Sequence, residues 1–116
     1  MNTRAYSSKQ EKRVAKRLGG KVNSNSGATD FYKGDIRTQE ILIECKTTTK
    51  EVKSVSIKKA WLDKLDEEKF SMGKYHSALA FDFGDGKDYF IINADLMELV
   101  VGYVEDLYNG RKRDEE

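Results

Sequence analysis

The chain alternates between short apolar runs and long polar stretches, and this pattern predicts eight elements. Apolar positions recur at helical spacing in three segments that begin near residues 8, 57 and 94. Runs rich in β-branched and aromatic residues predict strands in "DIRT", "EILIECK", "SALAFDF" and "DYFII", and "KVNSNSGATDFYKGD" is typical of a short strand or loop. The order α-β-β-β-α-β-β-α predicts one α/β domain, residues 1–116, with a mixed central sheet flanked by helices.

Capping residues give the expected limits of the first helix. Ser8 is a candidate N-cap with Glu11 three residues later, which is the capping-box spacing, and Gly19 or Gly20 can close the helix. Residues 1–7 are therefore expected to form a flexible arm.

Similar signals bound the other elements. Ser56 is a candidate cap for a second helix over residues 57–71, and Gly73 is its expected stop. "GDGK" predicts a hairpin between the two following strands. Asn93 is expected to cap the last helix and Gly110 to end it, so that residues 111–116 form a flexible tail.

Composition narrows the class of protein. The 116 residues include no proline and a single cysteine, Cys45, which rules out an intrachain disulfide and a cysteine-based zinc site. No run approaches the roughly 20 apolar residues that span a bilayer, and the N-terminus lacks the apolar segment of a signal peptide. We therefore expect a cytoplasmic protein without a membrane partner.

The net charge of +1 hides an uneven distribution. Residues 1–64 carry 15 Lys/Arg and 7 Asp/Glu, a net of +8, whereas residues 65–116 carry 6 and 13, a net of −7. Such a division suggests a basic surface for a polyanion. Chance clustering on a solvated exterior is the alternative.

The third predicted strand ends in charged residues. Ile41 and Ile43 suit a covered sheet, but Glu44 and Lys46 follow directly. Because side chains alternate along a strand, these two charges share a face, roughly 7 Å apart. Unpaired buried charges cost several kcal/mol, so the pair needs a partner or a metal.

Asp35 is expected to join them. A hairpin with its turn at residues 38–40 places Asp35, at the start of the neighbouring strand, within a residue or two of Glu44. Two carboxylates, with the backbone carbonyl of Cys45 between the charges, suit Mg²⁺ or Mn²⁺. Lys46 beside the metal would stabilise a phosphoryl group or position a water. The alternative is a surface ion network at a strand end.

The arrangement resembles the PD-(D/E)XK nuclease superfamily, in which an aspartate precedes an "ExK" strand within an αβββαβ core. "SNSGATDFYKGDI" followed by "ILIECKTT" is similar to the archaeal and phage Holliday-junction resolvases. The similarity covers roughly residues 8–83. The proline of the superfamily name is absent, and Gly34 stands in its place.

This resemblance implies a restriction-endonuclease-like fold and a role for five residues. Asp35 and Glu44 would hold the metal, with Glu11 approaching it directly or through water, and Lys46 would be the catalytic lysine. Ser26 would contact the phosphate backbone from a loop. Glu11 as the partner of Ser8 in a capping box, and Ser26 as an ordinary turn serine, remain alternatives.

Basic and hydroxyl side chains around this centre are candidates for phosphate contacts, which give affinity without reading sequence. The candidates are Lys9, Lys12, Arg13, Lys16, Arg17, Ser26, Thr47, Thr48, Lys50 and Lys53. For each lysine, a simple solvated position is the alternative. Trp61 and His76 are expected to have structural roles.

The expected function is that of a Mg²⁺-dependent endodeoxyribonuclease, with Mn²⁺ able to substitute, that resolves four-way DNA junctions in recombination or repair. A homodimer would cut the two strands, and no organic cofactor is expected. Other nucleases of the superfamily (flap, restriction-like or repair) and a non-catalytic DNA-binding module are the alternatives. The apolar residues of the last helix, from Leu96 to Leu107, predict either a dimer interface or a helix that covers the sheet.

Overall fold

Eight elements follow one another in the predicted order. The computed structural model describes residues 3–23 and 35–115. The helices are α1 (Thr3–Leu18), α2 (Lys59–Ser71) and α3 (Ala94–Glu115), and the strands are β1 (Lys21–Val22), β2 (Ile36–Arg37), β3 (Ile41–Lys46), β4 (His76–Phe81) and β5 (Tyr89–Ile91). The prediction of an α/β protein with a five-stranded mixed sheet and three helices is confirmed.

The sheet has the strand order β1-β2-β3-β4-β5. Strands β3 and β4 are parallel, while the other neighbours are antiparallel. Parallel neighbours need a crossover connection, because a tight turn would reverse the chain. Helix α2 supplies that crossover, and it packs against both strands that it joins.

Alternation along β3 gives the sheet two different faces. Ile43 packs with Val14 and Ala15 of α1 on one face, together with Ile36 and Ala78. Leu42 lies on the opposite face and is fully buried. The same face carries Glu44 and Lys46, which border a cavity with residues of α2. Helix α1 therefore covers the apolar face of β3, and α2 covers the face that carries the charges.

Helix α1 begins earlier than predicted. It already includes Thr3, so Ser8 lies inside the helix and the proposed capping box is wrong. The segment before Ser8 contains neither proline nor glycine, and so nothing in it stops a helix. The other end was predicted correctly: Gly19 has φ of +67° and the amide of Gly20 donates to the carbonyl of Ala15.

The other helix limits are partly as predicted. Helix α2 begins at Lys59, and its N-cap is Lys58, whose side chain makes no capping hydrogen bond. Ser56 as its cap is therefore wrong. Asn93 caps α3 as predicted, since its Oδ1 accepts from the amide of Leu96 at 2.9 Å. Gly110 does not end α3, because the strongly helix-favouring segment that follows extends the helix to Glu115.

Helix α3 leaves the body of the protein after its first turn. Leu96 is buried, but the apolar residues that follow it are exposed. The alternative in which this helix covers the sheet is therefore wrong.

The segment between β3 and α2 is hydrogen-bonded to the turn after β4. The amide of Val52 donates to the carbonyl of Phe83 at 2.9 Å. Gly84 has φ of +83°, and a Cβ added to it would lie 2.3 Å from the carbonyl oxygen of Lys50. Only glycine allows this close approach of the two backbones.

None of the helices, over the residues that the structure describes, is long and apolar enough to cross a membrane.

Candidate active site

The hairpin register places Asp35 beside Glu44, as predicted. Ile36 pairs with Ile43, so the residue before Ile36 lies level with the residue after Ile43. The backbone amide of Asp35 donates to the carbonyl of Ile43 at 3.0 Å. Its carboxylate Oδ2 accepts from the amide of Cys45 at 2.8 Å. Two hydrogen bonds to β3 thus fix Asp35 at the point where that strand becomes charged.

Glu11 reaches the same point from α1. Its carboxyl group lies close enough to Asp35 for the charge of that residue and hydrogen bonding to it to raise the pKa of Glu11. Because α1 begins before Ser8, Glu11 lies in the middle of the helix and has no capping role. The resemblance placed Glu11 near Asp35, and the structure brings the two together.

Lys46 is held between a carboxylate and an aromatic ring. Its Nζ lies 3.9 Å from Oε1 of Glu44. The same nitrogen lies 4.5 Å from the centroid of the Trp61 ring, within the range of a cation–π interaction. The backbone carbonyl of Lys46 accepts from Nε2 of the buried Gln10 at 2.9 Å. Helix α1 therefore holds the backbone of Lys46, and α2 contacts its ammonium.

The sequence did not point to Gln10 or to this role of Trp61. Trp61 is half-buried and was assigned only to packing. Its contact with Lys46 joins residues from two elements, and no local spacing encodes it. Lys58 also approaches the Trp61 ring, at 5.8 Å, and Lys64 borders the cavity that contains Glu44.

Burial and the charge of Asp35 raise the affinity of two carboxylates for protons. Burial, followed by the charge of Asp35 and a hydrogen bond to it, raises the pKa of Glu11 to about 7. Burial and the charge of Asp35 likewise raise the pKa of Glu44 to about 7, although Lys46 opposes that rise. Closely placed carboxylates that resist ionisation create a strong demand for a proton or a cation.

The oxygen atoms of these carboxylates can be compared with the ligands that a divalent cation requires. Within residues 3–23 and 35–115, no three Asp, Glu, His or Cys side chains converge closely enough to enclose a metal. Mg²⁺, however, is often held by one or two carboxylates, with water and substrate phosphate as further ligands. The Glu11–Asp35 pair and the adjacent Glu44 fit such an open site. The buried Oε1 of Gln10, which has no hydrogen-bond partner in the described part of the chain, suits an ordered water.

Arg13 does not face outward as predicted for a DNA contact. Its guanidinium donates to Asp88 at 2.6 Å and to Asp82 at 2.9 Å, and both carboxylates are more than nine-tenths buried. Asp82 also accepts from the hydroxyl of Thr47 at 2.6 Å. Thr48 donates to the carbonyl of Lys50 at 2.6 Å. Arg13, Thr47 and Thr48 therefore have partners within the protein, and their assignment as phosphate contacts stays a prediction.

The remaining basic candidates are exposed. Lys9, Lys12 and Lys16 share one side of α1, away from the buried Gln10 and Val14. Arg17 is exposed near the end of the same helix, and Lys50 and Lys53 are exposed on the segment after β3. Ser26 lies outside the described residues.

Two cavities border Lys46 on either side of Trp61. The larger, about 450 Å³, extends along the segment after β3 and includes Val55, Ile57 and Phe81 in its wall. The smaller, about 190 Å³, lies between Glu44 and α2. Glu44 and Lys46 are thus accessible from outside, as a substrate-binding position requires.

The side chains of Cys45 and His76 have no evident chemical role. Burial, with the neighbouring carboxylates, raises the pKa of the Cys45 thiol, which disfavours a reactive thiolate. His76 is half-buried at the start of β4, and its backbone amide donates to the carbonyl of Glu40.

Comparisons of the chain with models of known protein families, with curated proteins and with solved structures find no match.

Proposed function

We propose that this chain is a metal-dependent, structure-selective DNA endonuclease that resolves four-way junctions. The observation that carries the proposal is the register of β2 and β3, which holds Asp35 beside Glu44, two residues before Lys46. The contact between Glu11 and Asp35 adds a third carboxylate at the same place. We also propose that the α/β fold is of the restriction-endonuclease-like type. The resemblance of the sequence and the order of the elements support this.

The proposed reaction is hydrolysis of a phosphodiester. A water oxygen bonds to phosphorus and gives up a proton, one ester P–O bond breaks, and the oxygen that leaves takes up a proton to become a hydroxyl group. Lys46 would place its ammonium beside the phosphoryl oxygens, where negative charge increases in the transition state. Trp61 and Glu44 would hold that ammonium in position, and Gln10 would fix the backbone from which the side chain starts.

The carboxylates would hold Mg²⁺, for which Mn²⁺ should substitute. Asp35 and Glu44 are the proposed ligands, with Glu11 binding directly or through water and the backbone carbonyl of Cys45 as a further oxygen donor. When bound, the cation would polarise the phosphate and lower the pKa of a bound water. Its charge would also allow Glu11 and Glu44 to ionise together near neutral pH.

The proposed DNA contacts are the outward-facing cations. Lys50 and Lys53 lie on the segment that continues directly from the catalytic strand, and Lys9, Lys12 and Lys16 extend along α1. Ser26 is included among the proposed DNA contacts only because of the resemblance. Contacts of this kind bind phosphates without reading bases, which suits an enzyme that selects branched double-stranded DNA by shape. Two strands of a junction must be cut, and so we propose a homodimer.

Cleavage of labelled DNA tests the proposal. The substrates are a four-way junction, a flap, a linear duplex and a single strand, each with Mg²⁺, with Mn²⁺ or with a chelator. We expect paired nicks in the junction that require the metal. Asp35→Asn and Lys46→Ala should each lower the rate by about 100-fold or more while junction binding persists, because charge stabilisation at the reacting phosphate contributes on that scale.

Lys59→Ala is the matched control, since Lys59 is an exposed α2 lysine that pairs with Asp63 in the same helix. It should cleave at the wild-type rate. Preferred cutting of flaps or linear duplex would indicate another nuclease of the same superfamily. Junction binding without cleavage in either metal would refute the nuclease proposal and favour a DNA-binding module.

A further inference from the structure

Helix α3 exposes an unusually large apolar surface. Its exposed large apolar residues are each 39–71% accessible. They are Met97, Leu99, Val100, Val101, Tyr103, Val104, Leu107 and Tyr108. Monomeric proteins rarely expose contiguous apolar patches beyond a few hundred Å², and larger ones usually mark an interaction surface.

The apolar residues form a broad band along the helix. At about 100° per residue, they cover roughly 200° of the circumference. The rest of the circumference is polar or small and is formed by Ala94, Asp95, Glu98, Gly102, Glu105, Asp106 and Asn109. Leu96, in the first turn of the helix, is buried against the protein's own body. A helix with so wide an apolar band is normally covered.

One line of residues within this band has a spacing suited to pairing with itself; the neighbouring line of Leu96, Val100, Tyr103 and Leu107 has the same spacing, but its first member is buried. Met97, Val101, Val104 and Tyr108, here called the outer stripe, are spaced by four, three and four residues. This spacing is that of a coiled-coil seam. It also reads the same in both directions. Two antiparallel copies therefore bring Met97 opposite Tyr108 and Val101 opposite Val104.

The charges favour the antiparallel arrangement over the parallel one. Residues 94–109 contain four acidic residues and no basic residue, whereas residues 111–113 are Arg-Lys-Arg. A parallel pair would place Glu98 and Glu105 level with their own copies. The antiparallel pair places Glu98 level with Leu107 and Glu105 level with Val100, and it brings the basic segment 111–113 of each helix level with residues 92–94 of the other, next to Asp95.

The exposed apolar side chains of α3 offer a sizeable contact area. From the fractional exposures they present on the order of 700 Å² per copy, of which the four residues of the outer stripe supply about half, whereas a standard interface buries roughly 800 Å² per partner. A partner of a different kind would not need the symmetric spacing of the outer stripe.

We propose that α3 is the self-association surface of this protein, and that two copies pair through antiparallel outer stripes. This proposal assigns an interface to the homodimer of the proposed function, and the biological meaning of the interface rests on that function. The pairing itself depends only on α3 and requires neither metal nor DNA.

The molar mass of the full chain, measured by analytical ultracentrifugation without DNA, tests the pairing. We expect twice the 13.3 kDa mass of one chain at micromolar concentrations. Val104→Glu introduces a carboxylate into the outer stripe and should weaken pairing by about 100-fold or more. Asn109→Glu introduces the same charge on the polar side of the same helix and should leave the dimer intact.

Circular dichroism of both variants shows whether the fold persists. A wild-type monomer, or a folded Val104→Glu variant that is still a dimer, would overturn the proposal. Neither result would bear on metal-dependent nicking, which is measured separately. Conversely, a dimer that never cuts DNA would support the proposed pairing and refute the proposed nuclease activity.

Disulfide trapping tests the orientation in a Cys45→Ala background. A mixture of Met97→Cys and Tyr108→Cys proteins should form a mixed disulfide, and neither protein should cross-link readily to itself. Efficient Met97→Cys homodimers would instead indicate parallel helices and overturn the antiparallel arrangement.

Discussion

At the scale of single residues, Trp61 is the least expected member of the site. Its ring lies against the ammonium of Lys46, so it limits the positions that this ammonium can take. The matched comparison is Phe70, an exposed aromatic residue of the same helix with the ammonium of Lys69 at 5.1 Å. The two contacts are alike, but only that of Trp61 involves the proposed catalytic lysine.

We predict that Trp61→Leu lowers kcat for junction cleavage by about 5- to 30-fold, the range that a cation–π contact of 1–2 kcal/mol implies. KM should change little, because the misplaced ammonium acts mainly in the transition state. Trp61→Phe keeps a ring and should restore most of the rate, and Phe70→Leu should have no effect. Equal losses in Trp61→Phe and Trp61→Leu would contradict a positioning role for the ring.

The sequence allowed the charged residues beside β2 and on β3 at this site to be predicted, but not the partners of Lys46 on the helices. Asp35, Glu44 and Lys46 followed from the alternation of side chains and the length of one hairpin turn, both of which are local. The partners of Trp61 and Arg13 depend on how helices dock on the sheet. Arg13 is 69 residues from Asp82 and 75 from Asp88. No spacing along the chain could show that its charge is neutralised inside the protein.

At the scale of elements, Arg13 joins α1 to both ends of the turn that connects β4 and β5. Asp82 follows β4 and Asp88 precedes β5, and the guanidinium bridges the two. The same helix carries Gln10 and Glu11 to the candidate site. The ion network therefore sets the position of α1, and with it the position of Glu11.

We predict that Arg13→Ala lowers the free energy of unfolding by about 3–5 kcal/mol, because it leaves two buried carboxylates without their cation. Urea denaturation measures the change. Arg17→Ala removes the same charge from an exposed position one turn later and should cost less than about 0.5 kcal/mol. Similar losses in the two variants would show that helix propensity, and not the ion network, dominates.

Helix limits show why element ends were harder to predict than element order. Asn93 and Gly19 acted as their chemistry suggests, since each satisfies backbone groups that would otherwise lack partners. Ser8 and Gly110 carry the same signals but lie inside longer helices. A cap stabilises an end where the helix stops, but it cannot stop a helix whose flanking residues also favour it.

At the scale of the whole molecule, Glu11 and Glu44 should make stability depend on pH. The pKa of Glu11 and that of Glu44 are each about 7 in the folded protein, above the ordinary value of 4.5. Between these values the folded state binds more protons than the unfolded state. Its stability is therefore greatest below about pH 4.5 with respect to these groups and falls as pH rises through 7.

We predict that the metal-free protein loses about 1–2 kcal/mol of unfolding free energy between pH 5 and pH 8, a figure reduced for the partial exposure of Glu11. Urea titrations at a series of pH values measure it. Glu11→Gln with Glu44→Gln should flatten the dependence. Added Mg²⁺ should raise stability more at pH 8 than at pH 5, since it binds the ionised carboxylates. An unchanged pH slope in the double variant would contradict this origin.

The contact between Gly84 and the backbone of Lys50 affects how a ligand would be bound. The segment after β3 contains "TTTKEVKSVS", a composition usual in mobile loops, yet the close approach at Gly84 and the bond from Val52 to Phe83 fix its course. The entropy of ordering this segment is therefore lost when the chain folds and not when a ligand arrives. Lys50 and Lys53 then act as a preorganised surface, and phosphate contacts made by it would carry a smaller entropic penalty than those of a flexible arm.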